Sequence, residues 1–312
     1  MAFADGRADT KHHPNIMKRK FTGVMPALLT PFDSNGTILK ASVKALIDRL
    51  IGQGARGFYL CGSTGEGPIL SARQRMTMAE IAIEAIDGRA DAIVHTGSIN
   101  QAEVLELTRH AEEIGATAVS SVPPCFYYKH SVAEIIDYYK CLAEHTSLPV
   151  ILYATSVFQG LDVNTVVKEL TKIPNVIGIK DTRAAYYEMW KLREDCGPEL
   201  NIINGPDESL ACGLMMGADA GIGSTYNVME DLYCGLYDAF QKRDIPLVQR
   251  HQTKINRVIR AILSHGLFAS LKTYLSSKGI DMGVQAFPAK QVSADEAKAI
   301  VREMDDLLAR PL

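Results

Sequence analysis

The sequence predicts an α/β fold, a (β/α)8 TIM barrel with a C-terminal helical extension. Three observations predict it. Eight short apolar runs recur within the first 227 residues. Amphipathic or capped helical stretches separate them. After Thr225 the strand-like runs stop and only helical patterning continues. Regular alternation of strand and helix argues for a parallel sheet covered on both faces, and a count of eight favours closure into a barrel.

In order, the runs are Gly23–Leu29, Gly57–Ser63, Ala92–Ser98, Ala118–Pro123, Pro149–Ala154, Val176–Asp181, Asn201–Pro206 and Ala220–Thr225. Their nearly continuous apolar content suits strands with no solvent-facing side. Thr30 and Pro31 close the first run. Leu39–Gln53 then carries Val43, Leu46, Ile47, Leu50 and Ile51 on one helical stripe, with Gly54 as its stop. Ser71 with Gln74, Ser131 with Glu134 and Ser293 with Glu296 have the spacing of capping boxes, and Asn100 with Glu103 is similar. Residues 1–20 read as a loose arm, 21–227 as the barrel core, and 228–312 as helices that complete and extend it. No low-complexity linker divides them. The alternative is an open doubly wound sheet, but no Gly-x-Gly-x-x-Gly turn follows the first strand to support it.

Composition narrows the function classes. Apolar residues make up 47% of the 312, enough for a large core. The 33 basic and 36 acidic residues leave a formal charge of −3, which gives no electrostatic reason to expect nucleic acid or an anionic membrane as partner. No stretch approaches the length of a membrane span. Met1–Ile16 lacks the apolar centre of a secretory signal, and Met17 is a candidate alternative start. The six cysteines are scattered without a Cys-x-x-Cys pair, so neither a disulfide framework nor a zinc site is expected, and a reducing cytoplasm fits.

In such a barrel the working residues lie at the carboxyl ends of the strands. There stand Thr30, Ser63 with Thr64, Tyr153, Lys180 with Thr182, Gly205 with Asp207 and Glu208, and Ser224 with Thr225. Lys180 ends an apolar run on the same face as Gly178. A lysine out of water favours its neutral form, the form that attacks a ketone. The alternative is a stem that snorkels to solvent. Tyr153, on the preceding strand, can pass protons to and from a substrate, or is a core tyrosine. Gly62-Ser63-Thr64-Gly65-Glu66-Gly67 offers close backbone approach and an amide nest suited to a carboxylate, or is simply a tight turn. Asp207 and Glu208 suit sugar hydroxyls, or cap the next helix. His95 has no second ligand at metal spacing and reads as a packed core histidine.

These residues resemble the pyruvate-dependent class I aldolases, the family that includes N-acetylneuraminate lyase and dihydrodipicolinate synthase. The resemblance covers roughly residues 21 to 310. Its marks are Gly23-Val24-Met25-Pro26-Ala27-Leu28-Leu29-Thr30-Pro31-Phe32, Gly62-Ser63-Thr64-Gly65-Glu66, Tyr127-Tyr128, Tyr153 and Gly178-Ile179-Lys180. Lys180-x-Thr182, Gly205-x-Asp207-Glu208 and Gly217 to Asn227 look most like the sialic acid lyases. Phe158 stands where the synthase branch carries an arginine.

The resemblance implies cleavage of N-acetylneuraminate to N-acetylmannosamine and pyruvate through an imine on Lys180, with no metal or other cofactor. It implies that Tyr153 shuttles the proton. Ser63 and Thr64 would hold the pyruvate carboxylate, with Ser63 also relaying protons. Thr182, Gly205, Asp207, Glu208 and Ser224 would bind the polyol chain. It further implies a homotetramer in which Tyr127, with Tyr128 as its rival, reaches a neighbouring site. One departure bears on substrate choice. The family's Tyr-Asn-x-Pro is here Tyr153-Ala154-Thr155-Ser156. Alternatives are a related aldolase, dehydratase or synthase acting on another 2-keto acid, a metal-dependent barrel aldolase, and a non-catalytic sugar-binding barrel.

Overall fold

The computed structural model describes residues 21–124, 129–155, 158, 160–286 and 288–312. Eight strands form one parallel sheet: β1 (Gly23–Pro26), β2 (Gly57–Leu60), β3 (Asp91–His95), β4 (Ala118–Ser121), β5 (Val150–Ala154), β6 (Val176–Asp181), β7 (Asn201–Asn204) and β8 (Ala220–Gly223). Neighbours run β1-β8-β7-β6-β5-β4-β3-β2. The seam between β1 and β2 is closed by a parallel bridge, Ala27 to Tyr59. There the Leu28 N–H donates to the Tyr59 carbonyl at 2.9 Å and the Arg56 N–H to the Val24 carbonyl at 3.0 Å. The fold is the TIM barrel that the eight runs predict.

Helices follow each strand: α1 (Lys40–Gly52), α2 (Ala72–Ile86), α3 (Gln101–Glu113), α4 (Val132–Glu144), α5 (Val163–Leu170), α6 (Tyr186–Cys196), α7 (Leu210–Met215) and α8 (Tyr226–Gln241). The capping boxes at Ser71, Ser131 and Ser293 form as spaced. Asn100 differs. Its shorter side chain accepts from the Ala102 N–H at 2.9 Å, and Glu103 lies 3.7 Å from the buried Arg75 guanidinium instead. α8 begins at Tyr226, so the eighth barrel helix runs across residue 228.

The core has two layers. Inside the barrel pack Met25, Tyr59, Ile93, Ala118, Ile151, Tyr153, Ile177, Ile203 and Ile222 with their neighbours. Outside it, strand residues such as Leu60, Val94, Leu152, Ile179 and Ile202 meet the helices. Side chains buried on both faces explain why the strands read as continuous apolar runs rather than alternating ones. Beyond α8, α9 (Ile245–His265), α10 (Leu267–Ser277) and α11 (Ala294–Leu308) form the extension. α9 packs on α8, and α10 and α11 pack on α9. Val248, Ile255, Ile262, Leu271 and Leu275 join the outer core, so the extension is continuous with the barrel. Among the described residues no helix is long and apolar enough to cross a membrane.

Candidate active site

Lys180 reaches the barrel interior because β6 is irregular. Val176 pairs with Val150, but Gly178, not Ile177, pairs with Ile151. This slip of one residue, a bulge at Ile177, reverses the facing of everything after it. Gly178 and Lys180 then stand opposite Ile151 and Tyr153, the interior residues of β5, while Ile179 joins the outer core. Lys180 is only 5% exposed. Its Nζ lies 3.8 Å from the centroid of the Tyr153 ring and 4.7 Å from that of Tyr59. Among the described residues no carboxylate pairs with it. Two aromatic faces are what receive the amine when it is charged.

Tyr153 is held by a lattice of rings and hydroxyls. Its N–H donates to the Tyr139 hydroxyl at 3.2 Å, which in turn donates to the Ser121 carbonyl at 2.6 Å. Its ring meets Tyr59 at 5.9 Å and His95 at 5.8 Å, both edge-on. Burial pushes the Tyr153 phenol up. The Lys180 charge and the polar groups of Lys180, Ser63 and Thr182 nearby outweigh that and leave it below its ordinary value of 10.0. Lowering the phenol's pKa brings it nearer the range useful for proton transfer at neutral pH. His95 is 3% exposed, and burial holds its ring well below the ordinary histidine range. Its Nε2 faces the Val122 N–H at 3.3 Å. It is a neutral wall residue of the site.

The glycine-rich turn after β2 folds back on itself. The Glu66 N–H donates to the Ser63 carbonyl and the Gly67 N–H to the Gly62 carbonyl, each at 3.0 Å. A Cβ at Gly67 would collide with the Cys61 carbonyl, so only glycine lets the turn close. The Thr30 hydroxyl donates to the Gly65 carbonyl at 2.7 Å, tying the turn to the end of β1. Thr64 Oγ1 lies 2.6 Å from Ser224 Oγ, across to the β8 side. Ser63 is exposed. With Tyr153 and Thr155 it lines a cavity of about 530 Å³.

A second arc of residues runs from β6 to β8. A Cβ at Gly205 would strike Thr182 Oγ1, so the two are in close apposition. Among the described residues the buried Thr182 hydroxyl makes no close hydrogen bond, and it lies near enough to Tyr153 to favour its ionisation. Asp207 lies in the 3-10 turn Asp207–Ser209. One carboxylate oxygen accepts from the Ser224 N–H at 3.3 Å, and the other from the Thr225 N–H and hydroxyl, both at 2.7 Å. It therefore crosses to the start of α8 rather than capping its own helix. Burial raises the Asp207 carboxyl to about 6, against the lowering effect of Thr225. Glu208 is exposed, and its carbonyl is held by Asn256 of α9 at 2.9 Å.

This arrangement can be set beside known proteins. The profile of the Dihydrodipicolinate synthetase family matches residues 20–306. The chain belongs to that family. It is 36% identical over 294 residues to N-acetylneuraminate lyase of Escherichia coli strain SMS-3-5, covering 92% of this chain and 98% of the relative. The barrel superposes on native N-acetylneuraminate lyase from Aliivibrio salmonicida with a TM-score of 0.88 at 30% identity, covering 94% of this chain and 99% of the other. It also matches a catalytic lysine mutant of sialic acid aldolase from Ruminococcus gnavus, with a TM-score of 0.87 at 25% identity, covering 94% and 98%.

Within this dihydrodipicolinate synthetase fold, eight of the residues singled out from sequence converge on one mouth: Lys180, Tyr153, Ser63, Thr64, Thr182, Gly205, Asp207 and Ser224. Glu208 shares the turn of Asp207 but is exposed. Tyr127 and its rival Tyr128 lie outside the described residues. Three contributors escaped the sequence reading. Tyr59 forms part of the floor beneath Lys180. Asn227 donates to the Ala27 carbonyl at 2.7 Å and accepts from the Leu29 N–H, locking the end of β1 to α8. Lys272 pairs with Glu66. Asn227 sits in the Gly217–Asn227 segment already quoted. Lys272 carries no signal, because a lysine in an amphipathic helix normally faces water.

Proposed function

We propose that this chain cleaves N-acetylneuraminate reversibly to N-acetylmannosamine and pyruvate, as a class I aldolase whose imine forms on Lys180. The observation that carries the reading is a lysine amine inside the barrel, 3.8 Å from the Tyr153 ring centroid and unpaired with any described carboxylate. An amine so placed needs no salt bridge to be broken before it attacks. The identity to N-acetylneuraminate lyase supports the choice of substrate. So does the position of Phe158, which is apolar and 1% exposed, and gives no cation for a second carboxylate.

The placement of the groups supports the following cycle. Lys180 attacks the ketone of the open-chain sugar acid, and loss of water gives the iminium. Tyr153, as phenolate, takes the C4 hydroxyl proton. The C3–C4 bond breaks, its electron pair moves into the iminium as an enamine, and the aldehyde leaves. Protonation at C3 and hydrolysis release pyruvate and restore Lys180. The protein supplies the electron sink as a covalent iminium, so the reading calls for no metal or other cofactor. Ser63 and Thr64 receive the pyruvate carboxylate, Ser63 relays protons with Tyr153, and Thr182, Gly205, Asp207, Glu208 and Ser224 receive the polyol.

The reading also includes a homotetramer, in which Tyr127 or Tyr128 of one subunit approaches its neighbour's Tyr153. It places the enzyme in the cytoplasm, where unpaired thiols such as the buried Cys61 stay reduced. The Ala154-Thr155 departure favours one alternative, a different 2-keto-3-deoxy sugar acid, because Thr155 lines the cavity beside Ser63 and Tyr153. A panel of 2-keto sugar acids read by pyruvate release decides between them. N-acetylneuraminate is expected to give the highest kcat/KM, and a larger value for another sugar acid would transfer the assignment.

A further inference from the structure

The carboxylate turn is braced by the C-terminal extension. Glu66 adopts φ 57°, a left-handed conformation that residues with a side chain rarely take. Its Oε2 lies 2.5 Å from Lys272 Nζ of α10, with both side chains 4% exposed. Its Oε1 accepts from the Ala286 N–H at 3.1 Å. Lys272 Nζ also donates to the Val284 carbonyl at 2.8 Å and stands 3.9 Å from the Phe32 ring centroid. The Val284 N–H in turn donates to the Phe32 carbonyl at 3.0 Å. The loops after β1 and β2 are thus both fastened to one strap, the segment from Gly283 to Ala286. Glu66 is one backbone hydrogen bond from Ser63, so the position of the buried pair is passed to the residues facing the substrate.

A buried ion pair contributes little net stability, since desolvation offsets its attraction. Its geometry is nonetheless specific. We propose that Glu66 and Lys272 are positioning residues for the 2-oxo acid, with α10 and the Gly283–Ala286 strap holding the Ser63–Thr64 turn in its carboxylate-binding shape. The extension then governs affinity for pyruvate first, and reaches the proton relay and the sugar side only at second hand, through Ser63 and the Thr64–Ser224 contact. This rests on the reading that Ser63 and Thr64 hold the carboxylate.

The test compares the wild-type chain with Glu66→Gln, Lys272→Met and the double variant. Borohydride trapping at graded pyruvate concentrations is measured alongside KM for pyruvate and for N-acetylmannosamine in the condensation direction. The double variant leaves no uncompensated buried charge and is expected to fold by circular dichroism. Its half-saturating pyruvate is expected to rise about tenfold or more, each tenfold being about 1.4 kcal/mol. Its KM for N-acetylmannosamine and its kcat at saturating pyruvate are expected to change several-fold less than its half-saturating pyruvate. A folded double variant with wild-type pyruvate affinity overturns the proposal. So do equal losses in both KM values and kcat, or a double variant that does not fold, since either assigns the pair to general stability. A wild-type chain that pyruvate does not trap at any concentration overturns the aldolase reading itself, which is a separate result.

Discussion

On the β5–β6 side of the mouth, Lys180 and Tyr153 stand on paired strand residues, 5% and 6% exposed, among the rings of Tyr59 and His95. On the β7–β8 side, Asp207 and Glu208 stand on a short 3-10 turn, Ser224 is half-buried, and Glu208 is exposed. The first region is fixed by sheet hydrogen bonds and interior packing. The second is fixed by side chain to backbone contacts such as Asp207 to Thr225. The difference separates two tasks. Bond making needs sub-ångström placement, which strands supply. Substrate choice needs polar groups that a turn can re-aim without disturbing the barrel.

Substitutions sharpen this contrast, and the largest effect is expected at the strand lysine. Lys180→Ala is expected to abolish both turnover and pyruvate trapping, while circular dichroism and assembly stay unchanged. Retained turnover would break the contrast at its root. Tyr153→Phe keeps the ring packing and removes the proton carrier. It is expected to lower kcat by roughly 10²–10⁴-fold, the usual contribution of a positioned acid–base group. Trapping by pyruvate should persist, as single-turnover mass measurements would show.

Changes on the turn side are expected to be smaller and to appear in KM. Asp207→Asn should raise KM for the sugar acid by roughly ten- to hundredfold, the range for a hydrogen bond to a charged group. Its pyruvate trapping should match wild type. The same residue carries a pH signature. In the folded chain burial raises this carboxyl to about 6, above its ordinary value of 3.8, so the unfolded chain gives up this proton first. Its contribution to stability is therefore best below 3.8, falls as pH rises to about 6, and is level above. Across that interval the melting temperature of wild type should fall relative to that of Asp207→Asn as pH rises, and a difference that does not vary with pH would contradict the raised carboxyl. Thr182→Val is the mildest change. It should raise KM for the sugar acid by about two- to tenfold, as for one neutral hydrogen bond. Melting temperature should move little, because Thr182 Oγ1 makes no close hydrogen bond among the described residues.

The barrel was legible because each strand is buried on two faces and each helix on one, and these leave different periods in the sequence. Lys180 and Tyr153 were legible as polar residues ending apolar runs. What points Lys180 inward was not. The bulge at Ile177 sits in Val176-Ile177-Gly178-Ile179, where apolar residues on both faces erase the alternation that would reveal a slip. The contacts of Asp207 with Ser224 and Thr225, and the strap to Lys272, were also hidden, because each joins segments separated in sequence. Local pattern carries no record of such pairings.

The most direct test of the central claim is peptide mass mapping of the wild-type chain after borohydride reduction in the presence of pyruvate. One reduced pyruvate is expected on the peptide containing Lys180, with no other lysine labelled. An unlabelled Lys180, or a label on a surface lysine instead, would contradict an amine held inside the barrel for imine formation.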